Sequence, residues 1–199
     1  VADKGKLAQY NFRTKKLKFI NIPCPHNRIN TIAALGTDTL ALGTDNGLIL
    51  FSAHDNMFRQ IDIRTSTQPS NYVEQIYQDR QKDVWVFPRN PGIVRLHLNS
   101  NEKEHLFTPQ NEVIKHGRNS RKLIFEDKTG ILWVLPTGGN LSYYDRKEKK
   151  LKPLLTDIDN PKSIFSPLVR FYTLDTQGNC WLATARGIDR ISFFPQSYQ

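Results

Sequence analysis

The sequence predicts an all-β chain made of β-propeller blades, each of four antiparallel strands. Three observations carry this: tryptophans at a fixed interval, an aspartate at a constant distance before each, and short β-branched and aromatic segments cut by turn residues. Trp85, Trp133 and Trp181 are all the tryptophans of the chain and stand about 48 residues apart. Asp79, Asp127 and Asp175 each precede one of them by six residues. A short run and a glycine follow each tryptophan, reaching Gly92, Gly139 and Gly187. Self-similarity at such a period marks stacked copies of one supersecondary unit.

The copy around Trp133 shows the strands in order. "RKLIFED" reads as a first strand, "DKTG" as a tight turn, and "ILWVLP" as a second strand. "TGG" is a loop, "NLSYYD" a third strand, "RKEKK" a hairpin tip and "LKPLL" a fourth strand, where Pro153 suits an outer edge. No segment sustains a helical period. A fainter copy, "TLALGTDNGLILF", has Ala41 in the tryptophan slot and Gly47 in the glycine slot. The opening "GKLAQYNFRTKKLKF" matches "GNLSYYDRKEKKLKP" from Gly139 without a gap, so the chain begins inside a repeat.

The predicted organisation is a single propeller segment over 1–199: a partial blade at 1–24, blades at 29–62, 73–108 and 120–155, and a partial blade at 168–194. That is about four and a half blades. Leu7–Phe12 and Ile188–Phe194 claim the same third-strand slot, so the ends overlap rather than complete one blade. A piece of a larger, seven-bladed ring is therefore expected over a closed five-bladed one. The tryptophans are expected to fill the gap between neighbouring blades. The aspartates are expected to accept backbone donors in the first hairpin, and the glycines to supply positive φ or close approach.

The stretch "DIDNPKSIFSPLVRFYTLDTQGNCWLATARGIDRI" resembles the two-component regulator propeller repeat. Asn160, Pro161, Ser163, Asp175, Gly178, Trp181, Thr184 and Gly187 fall on its pattern, as do Thr44, Gly47 and Leu48 in the fainter copy. The departures are Ala41 for tryptophan, no glycine in the turn before Trp85, and Cys180 for the leucine before Trp181. The resemblance implies the periplasmic sensor region of a hybrid two-component receptor, carried by an inner-membrane protein, with a histidine kinase further along the polypeptide. It implies a glycan-responsive, non-catalytic module, whose partners are an oligosaccharide or acidic glycan and the remaining blades and kinase region of its parent; the unpaired edges of an open arc separately suggest a homodimer.

Composition narrows the classes. Apolar residues make up 38% of the 199, and the longest apolar runs, such as Ile131–Leu135, are far shorter than a membrane span. No signal peptide opens the chain, and Val1 in place of Met suggests an excised piece. Cys24 and Cys180 are too far apart in sequence to suggest a zinc site or disulfide framework and read as plain thiols. No cofactor or metal motif appears. The net charge of +9 invites acidic partners. Its lysines and arginines are nevertheless spread over separate tips, without a nucleic-acid motif. Lys15, Lys16, Arg146, Lys147, Lys149 and Lys150 read as solvated hairpin tips.

Propeller connections sort onto two faces. The second-to-third-strand loops and the blade-to-blade loops share one face, the longer and more varied set, where a rigid scaffold carries binding residues. That face offers the candidate ligand-binding residues Arg28, Tyr72, Arg89, His116, Arg118, Arg121 and Arg186. Arginine and tyrosine supply charge pairing, directed hydrogen bonds and a flat stacking surface. The longest loop, Gln110–Lys122, is expected to set specificity. A propeller lyase or hydrolase is the alternative class, and a protein-interaction scaffold another. The first needs a placed acid and base, and the five histidines show no motif spacing.

Overall fold

The computed structural model describes residues 2–3, 6–23, 28–106, 122–136, 140–154, 163–166 and 168–192. These residues form strands and turns, and none forms a helix long and apolar enough to cross a membrane. The first sheet holds β1 (Ala2–Asp3), β2 (Lys6–Asn11) and β3 (Lys16–Asn21). The second holds β4 (Ile29–Leu35), β5 (Thr39–Thr44), β6 (Gly47–Ser52) and β7 (Met57–Ile61). The third holds β8 (Val73–Gln78), β9 (Val84–Pro88), β10 (Ile93–His97) and β11 (Glu102–Leu106). The fourth holds β12 (Leu123–Glu126), β13 (Leu132–Leu135), β14 (Ser142–Asp145) and β15 (Lys150–Pro153). The fifth holds β16 (Val169–Leu174), β17 (Cys180–Thr184) and β18 (Gly187–Ile191).

Every pairing is antiparallel between sequence neighbours, as hairpin connections require. These are β-propeller blades. One strand was not foreseen: β1 pairs Ala2 with Leu7 and Asp3 with Lys6 ahead of the expected third strand. Two residues are too few for an alternation pattern to show in the sequence.

The hairpins between third and fourth strands share one device. Lys15, Asn56, Asn101 and Lys149 all take positive φ at the same place in four successive sheets. In two of them an Asx turn supports the tip: Asn11 Oδ1 accepts from Arg13 and Thr14, and Asp145 Oδ1 from Lys147 and Glu148. Three first strands also share a bulge, between Ile29 and Thr31, Val73 and Gln75, and Val169 and Phe171. A bulge re-aims the residue it displaces, here Asn30, Glu74 and Arg170.

The core lies between the sheets. Leu7, Ile20, Leu42 and Phe51 join the first two sheets, and Ala41, Leu48, Val73 and Val86 join the second and third. Trp85, Phe87, Ile124 and Val134 join the third and fourth, and Phe125, Trp133, Val169 and Leu182 the fourth and fifth. Middle strands covered on both sides are buried throughout, as in β9 and β13. In β17 buried and more exposed positions alternate, because one side faces solvent. The outer sides of both end sheets are apolar and open: Phe12 is 77% exposed, Phe19 63%, Phe171 61% and Ile188 74%.

Candidate functional site

Each repeat aspartate serves two strands at once. Its Oδ2 accepts the indole N–H of the tryptophan six residues on, at 3.0 Å for Asp79–Trp85, 2.8 Å for Asp127–Trp133 and 2.9 Å for Asp175–Trp181. Its Oδ1 accepts turn donors, from Asp83 N, from Thr129 N and Ile131 N, and from Asn179 N. The turn bonds follow from aspartate in a hairpin. The indole bond went unread, although the constant spacing of six was its signal. Carboxylates so engaged are structural. Trp85 and Trp133 are buried between sheets, whereas Trp181 is 37% exposed on the end sheet.

Arg146 corrects the reading of its run as a solvated tip. It reaches across to the third sheet, donating Nη2 to Asp79 Oδ2 at 3.1 Å and Nη1 to Gln81 at 2.8 Å, and within its own sheet Nη2 donates to Glu126 Oε1 at 3.3 Å. Asp79 and Glu126 are buried, and two desolvated carboxylates without a cation would be costly. Lys147 and Lys150 remain exposed tip residues.

On the loop face, Tyr72 and Arg89 come together. The Arg89 guanidinium lies 3.8 Å above the centre of the Tyr72 ring, and Arg89 N donates to Tyr72 O. The Tyr72 hydroxyl donates to Asn30 Oδ1 at 3.2 Å, and Asn30 Nδ2 donates to Val73 O. Asn30 is the residue displaced by the first bulge, so this platform bridges the second and third sheets. Asn71 underpins it by accepting Ile63 N and Gly47 N and by donating to Asn46. Gly47 is required there: φ is +101°, and a Cβ would sit 2.7 Å from Ile61 O. Arg28, two residues before Asn30, is tied through its backbone to Asp45.

The other candidates stand apart. Arg186 lies in the β17–β18 turn of the fifth sheet, 6.0 Å from the Phe165 ring centre. His116, Arg118, Arg121 and all of the Gln110–Lys122 loop except Lys122 lie outside the described residues, as does Gly139. Lys122 pairs with Glu74, the residue displaced by the second bulge, and burial lowers its pKa. The platform offers a planar guanidinium backed by a ring, with amide and hydroxyl groups beside it. Such a surface suits a hydroxylated or anionic ligand.

A second polar cluster was missed. Asp83, buried, accepts from Arg95 Nε at 2.8 Å and from Arg95 Nη2 at 2.7 Å, and its other oxygen meets His97 Nδ1. Arg95 also reaches Glu104 and the Tyr144 hydroxyl of the fourth sheet. The signal was the register, since β10 pairs Leu96 with Val84 and so sets His97 opposite Asp83. Among the described residues no group of three or more His, Cys, Asp or Glu side chains is placed to hold a metal ion.

No family model and no curated protein matches the sequence. Solved structures do. Two extracellular domains of hybrid two-component systems from B. thetaiotaomicron are similar to this chain at 20% identity over 94% of it, with TM-scores of 0.58 and 0.62. The chain spans 30% and 24% of their lengths. Virginiamycin B lyase from Staphylococcus aureus is similar at 14% identity, with a TM-score of 0.65, over 98% of this chain and 64% of that one. At such identities the likeness is one of fold.

Proposed function

We propose that this chain is part of a larger, extracytoplasmic sensor propeller of a hybrid two-component histidine kinase, and that its loop face recognises a glycan without turning it over. The Tyr72–Arg89–Asn30 platform carries this reading. It combines an aromatic face, a fixed cation and an amide on a rigid two-sheet junction, the groups a saccharide would engage. The likeness to two extracellular sensor domains, of which the chain spans under a third, supports the receptor setting. The open apolar ends suit contact with the remaining blades, and a homodimer of receptors would transmit the bound state to the kinase region.

Calorimetric titration of the complete ectodomain with oligosaccharides, neutral and acidic, tests the reading. Tyr72→Ala and Arg89→Ala are each expected to weaken binding about tenfold, the loss of one stacking or charged contact of about 1.4 kcal/mol. Undiminished binding in both variants would exclude the platform. A carbohydrate-active lyase or hydrolase is the second reading, favoured by the Asp83–His97 pair and by a lyase among the similar structures. Mass spectrometry of incubated oligosaccharides separates the two. Product that disappears with His97→Ala would favour catalysis.

A further inference from the structure

A groove of about 440 Å³ runs along the seam of the second and third sheets, on the face opposite the Tyr72–Arg89 platform. Its volume falls within the roughly 300–1,000 Å³ of ligand clefts. Arg59, Gln78, Lys82, His97 and Asn99 supply its polar wall, and no aspartate or glutamate lines it. Leu35 and Leu50, both buried, form an apolar floor. Arg59 donates to Asn101, and neither Arg59 nor Lys82 has a carboxylate partner among the described residues. His97 gives its Nδ1 edge to the buried Asp83, which orients the ring and leaves Nε2 without a partner among the described residues. Arg59 and His97 also border a neighbouring hollow of about 310 Å³, which carries Asp62 and Glu102 beside Lys103, so a ligand's acid group belongs in the main groove rather than there.

Lys82 departs from the repeat in a telling way. Its φ is +70°, and the equivalent residues of the next two sheets, in the same left-handed conformation, are Gly130 and Gly178. A side chain is therefore kept where the turn itself asks for glycine, and that side chain borders the groove. The Asp83–His97 pair is likewise confined to this sheet, since the positions matching Asp83 in the next two are Ile131 and Asn179.

We infer that this groove is a second binding site, for a small hydroxylated carboxylate of the sugar-acid class. Arg59 and Lys82 take the carboxylate, His97 Nε2, Gln78 and Asn99 meet hydroxyl groups, and the leucine floor receives the ring's apolar side. The site stands apart from the loop-face platform and shares none of its residues.

Titration calorimetry of this chain with digalacturonate, a neutral galactose disaccharide and inorganic phosphate tests the site. Digalacturonate is expected to bind, the neutral disaccharide at least tenfold more weakly, and Arg59→Gln with Lys82→Gln to lower digalacturonate affinity at least tenfold. Lys82→Gly separates binding from folding: affinity falls as with Lys82→Gln while the melting temperature rises. Equal affinity for the neutral disaccharide, phosphate binding as tight as digalacturonate, or affinity unmoved by the groove substitutions would overturn the site. Affinity lost only with Tyr72→Ala would overturn it too, by placing the acid on the other face.

Discussion

Asp127 accepts from Thr129 N, Thr129 Oγ1 and Ile131 N with one oxygen and from the Trp133 indole with the other. Removing it strands donors away from water, so Asp127→Ala should cost about 2–3 kcal/mol. Asp175→Ala should cost less, because the partly exposed Trp181 can rehydrate. Urea unfolding of both variants checks the difference; equal losses would contradict the part assigned to burial. Asp175 is held at about 2 by its bonds to Asn179 and Trp181, and Asp145 at about 2 by Lys152 and by the hairpin amides. Both values lie below the ordinary 3.8, so each carboxylate's contribution is fully present above about pH 4 and is lost as pH falls towards 2. Acid titration of stability should show that fall, and Asp145→Asn should shrink it. Burial pushes the Cys180 thiol up to about 12, with Asp127 adding to the shift. Peptide mapping after maleimide treatment at pH 7.5 should therefore find Cys180 unlabelled while the chain is folded. The aspartate spacing was legible at this scale; the indole bond was not, because a spacing does not say which oxygen faces which donor.

At the scale of single elements, the turn before Trp85 is the informative one. A left-handed Lys82 costs about 1–2 kcal/mol, and glycine gives back part of that gain in unfolded-state entropy. Lys82→Gly should thus stabilise the chain by about 0.5–1 kcal/mol in thermal unfolding. A loss would mean that Lys82 holds the turn together rather than straining it. The missing glycine was visible in the sequence as a departure from the repeat; its consequence was not, since only the fold shows Lys82, Arg59 and His97 bordering one groove. Strand order followed from alternation and turn residues. The three bulges did not, because one displaced residue breaks alternation without leaving a mark of its own, and the one in β4 places Asn30 beside Tyr72. Tyr72 and Arg89 are legible from their loop face and residue type, but their contact depends on how two sheets meet. Arg146 differs for the same reason: a run of charges looks solvated until the fold brings it the Asp79 carboxylate of the neighbouring sheet and the Glu126 carboxylate of its own.

For the molecule as a whole, the two end sheets present Phe12 and Phe19 on one side and Phe171 and Ile188 on the other. Exposed apolar strands beside unpaired edges invite association. Light scattering should show dimers or larger species, and Phe171→Lys with Ile188→Lys should shift the population towards monomer. A monodisperse monomer of the unaltered chain would count against this. The repeat was legible because it recurs on a fixed period, whereas the way the ends are completed depends on contacts between distant parts. The separate apolar clusters, each spanning one seam, have a further consequence. Cooperativity here passes only from neighbour to neighbour, so fraying should begin at the termini and work inward. Amide protons of β9 and β13 should exchange most slowly, those of β2 and β18 fastest, and any added neighbour that seals an end should slow exchange first at that end.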